Sequence, residues 1–277
     1  MDHFPFEIWQ EIINISAYAS FRQAAILARV SRLFNEWARP ILYRVCKYYY
    51  DAYWPGPNVP SVAWFKDHGG YIRHLLWGLS FGRTDTERAS LVTILELCPN
   101  LQEFALWVNP NDNDVSSLQP VLSKLSLRRL SINPLALFSV PRFLDIHAQH
   151  LMFRSVTHLD LLQDAKAWEE ISGLAALPSL THLALSDGIT YSIISDVVRW
   201  CDRLKVIVVV VQASVDSSED EDKDSAVLTS IETGCDDLRV VAFECAFVRD
   251  WELGATGGRD IWVKAEEVVE KRMKMGG

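Results

Sequence analysis

The sequence predicts an α/β protein: a solenoid of about seven strand–helix repeats curved into a horseshoe, with a small three-helix module in front. Three observations predict it. One apolar phrase recurs at residues 72, 101, 127, 156, 180, 204 and 238. It reads Ile72-x-x-Leu75-x-Trp77, Leu101-x-x-Phe104-x-Leu106, Leu127-x-x-Leu130-x-Ile132 and Val156-x-x-Leu159-x-Leu161, then Leu180-x-x-Leu183-x-Leu185, Leu204-x-x-Ile207-x-Val209 and Leu238-x-x-Val241-x-Phe243. The steps between successive starts are 29, 26, 29, 24, 24 and 34 residues, a fixed-period signature of stacked supersecondary units. Residues 4 to 46, by contrast, carry a helical rather than an alternating apolar period.

Taken in chain order, residues 1–46 form the helical module. Ile8, Trp9, Ile12 and Ile13 make one helical face, and Ala24, Leu27, Ala28 and Ser31 a second. Phe34, Trp37, Ala38, Ile41, Leu42 and Val45 make a third, which Pro40 is expected to split into two short pieces because it lacks an N–H and clashes with the preceding turn. So small a unit leans on the body that follows. Residues 47–70 read as a transition: Tyr48, Tyr49, Tyr50, Tyr53 and Trp54 precede Pro55-Gly56-Pro57, which interrupts regular structure. These aromatics are expected to wedge the module against the first repeat.

Residues 71–249 hold the repeats, whose spacing is that of leucine-rich repeats. The links Thr86–Leu97, Ala165–Leu177 and Ser192–Trp200 read as helices, the first capped by Thr84 or Asp85. Cys98, Cys201 and Cys235 each stand three residues before a phrase, at a recurrent corner where a small apolar side chain buries well. The long last step has a visible cause, an insertion at 216–224 with six acids and one lysine. Its like charges predict a solvated loop. Ser217 and Ser218, each followed by an acid three residues on, make a weak acidophilic phosphosite. Residues 250–277 read as a capping segment, with a helix over 260–275 that turns Ile261, Trp262, Ala265, Val268 and Val269 inward.

Composition narrows the function classes. The chain has 277 residues, 49% of them hydrophobic, and a net charge of −9, which argues against a nucleic-acid binder. No apolar run approaches the ~18 residues of a membrane span, and Met1-Asp2-His3-Phe4-Pro5 lacks the basic start of a secretory signal. Five cysteines fit a reducing compartment, cytoplasmic or nuclear. There is no GxSxG, P-loop, GxGxxG or HExxH motif, and His147-x-x-His150 has no third ligand at a suggestive spacing, so no catalytic residue, cofactor or metal is expected.

Strand alternation sends the fourth and sixth phrase positions into the core, and the third, fifth and seventh onto the concave face. There stand His74, Leu76 and Gly78; Glu103, Ala105 and Trp107; Arg129, Ser131 and Asn133; His158, Asp160 and Leu162; His182, Ala184 and Ser186. The last two strands contribute Val206, Val208 and Val210, then Val240, Ala242 and Glu244. His74, His158 and His182 share one lateral position and read as a solvated polar column. The strand 204–211 is apolar on both faces, so it is either covered by the C-terminal segment, with Phe247 and Trp251 as candidates, or docks a partner. His74, Trp107, Arg129, His158, Asp160, His182, Val206, Val208 and Val210 are the candidate substrate contacts.

The module also carries a family resemblance. Phe4-Pro5-Phe6-Glu7-Ile8-Trp9-Gln10-Glu11-Ile12-Ile13 resembles the opening of an F-box, and Ala24-x-x-Leu27-Ala28-Arg29-Val30-Ser31-Arg32-Leu33-Phe34 resembles its second half. Ala38-Arg39-Pro40-Ile41-Leu42-Tyr43 is similar to its close in fungal members. Phe4 stands where Leu is usual, Ser31 where Cys is frequent, and the repeats lack a regular Asn after each strand. With degenerate leucine-rich repeats behind it, the chain resembles an F-box/LRR protein. The resemblance implies a non-enzymatic substrate-recognition subunit of a cullin–RING (SCF-type) ubiquitin ligase. Phe4, Pro5, Ile8, Ile12, Leu27, Val30 and Phe34 would dock a Skp-type adaptor, and the repeats would hold a protein substrate. The other reading is a protein-binding scaffold whose F-box-like segment only caps the solenoid.

Overall fold

A computed structural model describes residues 5–48, 61–79, 85–108, 115–138, 151–162, 172–186, 189–212 and 234–276. The acidic insertion with Ser217 and Ser218, most of the aromatic transition run, the segment 163–171, His147, His150 and the cap at Thr84 lie outside these residues. Three helices open the chain: α1 (Phe6–Ala19), α2 (Phe21–Leu27) and α3 (Arg32–Leu42). Ser20 and Ser31 start α2 and α3 by accepting the N–H of Gln23 and Phe34, each at 3.1 Å, where an orphan donor needs a partner. Pro40 does not split α3 as expected. It falls in the last turn, so its missing N–H leaves only the Glu36 carbonyl without its helical bond, and Tyr43 N–H still closes on Arg39 O at 3.1 Å. The three helices pack on one another around Ala17, Ala24 and Ile41, a very small core.

The rest is one parallel sheet of eight strands among the described residues, in strict sequence order. They are β1 (Val45–Tyr48), β2 (His74–Leu79), β3 (Glu103–Val108), β4 (Arg129–Ile132), β5 (His158–Leu162), β6 (His182–Ser186), β7 (Val206–Gln212) and β8 (Val240–Cys245). Each phrase of the sequence supplies one strand, and strand β1 is an addition. Val45 belongs to it rather than to the third helix, because Val45-Cys46-Lys47-Tyr48 alternates, with Cys46 and Tyr48 buried and Lys47 exposed. Between strands lie α4 (Val62–His68), α5 (Asp85–Glu96), α6 (Gln119–Leu122), α7 (Pro134–Phe138) and α8 (Tyr191–Trp200). The link between β5 and β6, expected as a helix over Ala165–Leu177, lies largely outside the described residues; its described end, Ser172–Ala176, is a 3-10 turn.

The links cover one face of the sheet. Phrase positions four and six (Leu75, Phe104, Leu130, Leu159, Leu183 and Ile207 among them) pack with Leu91, Ile94, Ile194 and Val197 of the link helices in one continuous core. Of the three corner cysteines, Cys98 and Cys201 are buried in the same core and Cys235 packs on it half-buried, while Cys46 is buried there from β1. Burial pushes the thiol pKa up to about 12 at Cys46 and Cys98 and to about 11 at Cys201, so these cysteines stay protonated at neutral pH.

The last strand departs from the expected register. Val240 pairs with Ile207 and Ala242 with Val209, so β8 is displaced by one residue relative to its phrase. A one-residue slip flips every side chain. Val240 and Ala242 therefore enter the link-side core, while Val241, Phe243 and Cys245 face the other side. The anchor is at the strand's entry: Leu238, the first position of the phrase, is 42% exposed, and Arg239 takes the corner instead. Its guanidinium donates to the carbonyls of Cys201, Leu204 and Val198 and holds the Asp237 carboxylate at 2.8 Å.

Two C-terminal helices, α9 (Phe247–Ala255) and α10 (Ile261–Gly276), cover the opposite face. The junction between them is tightly specified. Gly257 has φ +83°, Gly258 N–H reaches Leu253 O at 2.7 Å and Gly257 N–H reaches Gly254 O at 2.9 Å, a complete Schellman stop. Asp260 then caps α10 by accepting Val263 N–H at 3.0 Å, and Asp250 of α9 accepts Ile261 N–H at 2.7 Å.

Candidate functional site

Two surfaces were singled out by the sequence, and the structure treats them differently. On the helical module, Ile13 and Ala17 are buried, Ala17 in the small core, while Ile8, Ile12 and Ile15, spaced i, i+4, i+7, fall on the opposite side of α1. Ile8 is 44% and Ile12 41% exposed. Val30, in the turn between α2 and α3, is also exposed, and so is Pro5, whose carbonyl accepts Ile8 N–H at 3.0 Å. Leu27 and Phe34 are half-buried: Leu27 packs on the Ala17–Ala24–Ile41 core, and Phe34 stacks on Trp37 with ring centroids 5.8 Å apart. Phe4 lies outside the described residues. Phe6, Trp9, Ile15, Tyr18 and Ile26 add to the exposed apolar surface and were not singled out from the sequence. Their signal was present, since α1 carries more apolar residues than one packed face can use.

The face expected to be concave and open is closed by the chain itself. Leu76 and Ala105 are buried beneath Trp251 and Ala255 of α9, and Trp107 meets Phe247 edge-on at 4.9 Å. Val206, Val208 and Val210 are buried with Ile261, Trp262, Ala265 and Val269 of α10. Of the two alternatives for this strand, cover by the C-terminal segment holds, supplied by α10 rather than by Phe247 and Trp251, so Val206, Val208 and Val210 are not open substrate contacts; the reason is elementary: a strand apolar on both faces needs cover on both. The same packing corrects the placing of α10, which lies across β7 and β8 rather than stacking beyond the last repeat as an end cap.

The polar column at the third phrase position follows the strand register from His74 through Glu103, Arg129 and His158 to His182. It is not solvated as expected but is bonded, strand to strand and strand to helix. His74 Nδ1 lies 2.7 Å from Glu103 Oε2. Arg129 donates to Asp260 Oδ2 at 2.7 Å, so that one carboxylate both caps α10 and holds the sheet. The His158 and His182 rings are parallel and 4.1 Å apart, with Trp262 edge-on to both. His182 Nε2 lies 3.0 Å from Glu266 Oε1. Asp160 and His182 are 4% and 5% exposed, unlike a contact surface.

Burial and the neighbouring imidazole and guanidinium push the His158 pKa down to about 3. His182 is lowered as well, chiefly by burial, against the opposing pull of Glu266. Both rings are neutral at physiological pH and serve as packing. Parallel rings direct their lone pairs side by side rather than to one point, which does not suit a shared ligand. Among the described residues no cluster of three or more His, Cys, Asp or Glu side chains could hold a metal ion, and no helix is long and apolar enough to cross a membrane. The exposed apolar face of the helical module is therefore the candidate site. No protein-family model matches the chain, and no curated protein matches it either.

Proposed function

We propose that the chain is the substrate-recognition subunit of an SCF-type ubiquitin ligase, an F-box-like module docking a Skp-type adaptor and a leucine-rich-repeat solenoid recruiting a protein substrate. The observation that carries this reading is the exposed strip Ile8, Ile12 and Ile15 on the outward side of α1, with Trp9 of the same helix and Val30 of the α2–α3 turn exposed as well. Lone exposed apolar residues are ordinary, but a cluster on one small module marks a docking surface. Two of the strip's residues, Ile8 and Ile12, occupy positions that the F-box resemblance assigns to the adaptor. Strict sequence order in the sheet, with one link per strand on one face, supports the solenoid. The reading implies a non-enzymatic protein of the cytoplasm or nucleus.

One observation favours the second reading, a non-ligase scaffold in which the module only caps the repeats. The third helix runs on into β1, which pairs with β2, and Arg44 both sits over the Tyr18 ring at 4.8 Å and donates to Thr256 O at 2.9 Å. That makes the module part of the body. A purely capping module, however, has no use for an apolar outward face. Co-elution of the purified chain with a purified Skp-type adaptor in size-exclusion chromatography separates the two. The receptor reading expects a complex that Ile8→Asp with Ile12→Asp abolishes while the chain stays folded; no complex, or one indifferent to the double substitution, leaves the scaffold.

A further inference from the structure

We propose that α9 and α10 form a strap that locks the curvature of the eight-stranded sheet and fixes the helical module relative to the last strands. In a body built of stacked repeats each unit touches only its neighbours, and its curvature is the sum of small rotations from one repeat to the next. Small changes at each step add up, so the two ends move relative to each other unless a segment reaches across them.

The C-terminal helices do reach across, and their contacts take in the sheet strand by strand. On α9, Phe247 meets Trp107 of β3 edge-on at 4.9 Å, and Trp251 is buried against Leu76 of β2. Glu252 holds Lys47 of β1 at 2.5 Å, and Thr256 O accepts from Arg44 at 2.9 Å. The same guanidinium lies over the Tyr18 ring of α1 at 4.8 Å, so α9 is tied to the helical module as well. On α10, Asp260 accepts from Arg129 of β4 at 2.7 Å. Trp262 stands edge-on to His158 of β5 and His182 of β6, and Glu266 lies 3.0 Å from His182. Val269 is buried with the valines of β7, and Arg272 donates to Val240 O of β8 at 2.5 Å. All eight strands are held, and the contact between Arg44 and Thr256 spans 212 residues of sequence.

A strap also has to be stiff in itself. Asp250 of α9 accepts Ile261 N–H at 2.7 Å and accepts from Lys264 Nζ at 2.9 Å, which joins the start of α10 to α9. A methyl group at Gly254 would run into the Asp260 side chain, so the two helices touch at their junction. The pair is therefore one body, and a rotation between two strands has to break its contacts with one of them. Trp251 and Trp262, both buried, supply the apolar area that holds the strap down. The bonds of Asp260 to Arg129 and of Glu266 to His182 are directional, and they set where on the sheet it sits.

The strap is independent of what the module docks, and its test uses the full chain without adaptor. Pulsed electron spin resonance reads the distance between spin labels attached at Arg22→Cys of α2 and Asp202→Cys in the turn before β7, both exposed positions. A second pair, Gln102→Cys with Asp202→Cys, reads the sheet without the module. Cys46, Cys98, Cys201 and Cys245 are buried, and Cys235→Ser removes the half-buried thiol. One narrow distance distribution is expected for each pair. Trp251→Ala, which cuts the strap at β2, should broaden both distributions and shift their means. Phe247→Ala cuts it more mildly at β3 and decides the matter should Trp251→Ala fail to fold. Met273→Ser, at an exposed position on α10, should leave both distributions as they are. A broad distribution in the chain with an intact strap, or narrow and unmoved distributions in the folded strap variants, overturns the proposal. A shift confined to the pair that includes Arg22→Cys overturns the lock on the sheet.

Discussion

Asp260 is where the C-terminal helices are fastened to the sheet, and its removal should be among the most costly single changes in the chain. Its side chain is 3% exposed and does two jobs. Oδ1 caps α10 through Val263 N–H, and Oδ2 accepts from Arg129 at 2.7 Å. Losing the cap costs about 1 kcal/mol. Breaking a buried charge pair costs about 3–5 kcal/mol, and Arg129, 29% exposed and able to recover water, places this pair at or below the lower end. Asp260→Ala should thus destabilise the fold by about 3–4 kcal/mol. Asp260→Asn keeps a capping oxygen and should lose about 2–3 kcal/mol. Urea unfolding followed by tryptophan fluorescence measures both. Arg129→Met in the Asp260→Ala background should recover part of the loss, because no charge is then left without its partner. A neutral Asp260→Asn, or an Arg129→Met whose cost simply adds to that of Asp260→Ala, would refute the claim that this pair holds the C-terminal segment down.

Two further outcomes follow from the same closed face. His158 is held neutral in the folded chain, with its pKa down at about 3, whereas the unfolded chain takes up that proton near the ordinary histidine value of about 6.5. Between those values the unfolded state binds more protons, so stability is full above about pH 6.5 and falls as pH drops toward 3, by up to about 1.4 kcal/mol per unit from this group. His158→Phe, which keeps a ring against His182 and Trp262, should flatten the slope of the urea midpoint against pH; an unchanged slope would assign the acid sensitivity elsewhere. Val208, fully buried under α10, should not tolerate a charge. Val208→Asp should lower stability by about 3 kcal/mol or more in thermal unfolding of the isolated chain, and a stable, soluble variant would mean that the face opens easily.

The strands were legible because their signal is local. Each phrase puts two apolar side chains on one face at a spacing that only a strand uses, and Leu159 and Leu161 or Leu183 and Leu185 needed no long-range information. The inward residues of α10 were legible for the same reason, at a spacing of 3.6. What the sequence obscured was long-range. Nothing local says that Trp251 lands on Leu76 and Ala105, or that Asp260 meets Arg129. The hints were the small residues Ala105 and Ala184 at positions expected to face solvent, which allow close cover, and the loss of alternation at Val206–Val211. Strand β1 was missed because Val45 also fits the helical period of α3. The slip in β8 was missed because Leu238 looks like a phrase start, while Arg239 secures the corner through carbonyls of the preceding turn. On the module, apolar periodicity located the helices but could not say which apolar face would remain uncovered.

The uncovered face of the first three helices is the proposed docking surface. Hydrogen exchange on the full chain, with and without a saturating Skp-type adaptor, tests it residue by residue. Slowed exchange is expected across Phe6–Ala19 and the turn around Val30, with the strands and the C-terminal helices unchanged. Protection on α9 or α10 with none on the module, or no protection anywhere, would contradict it.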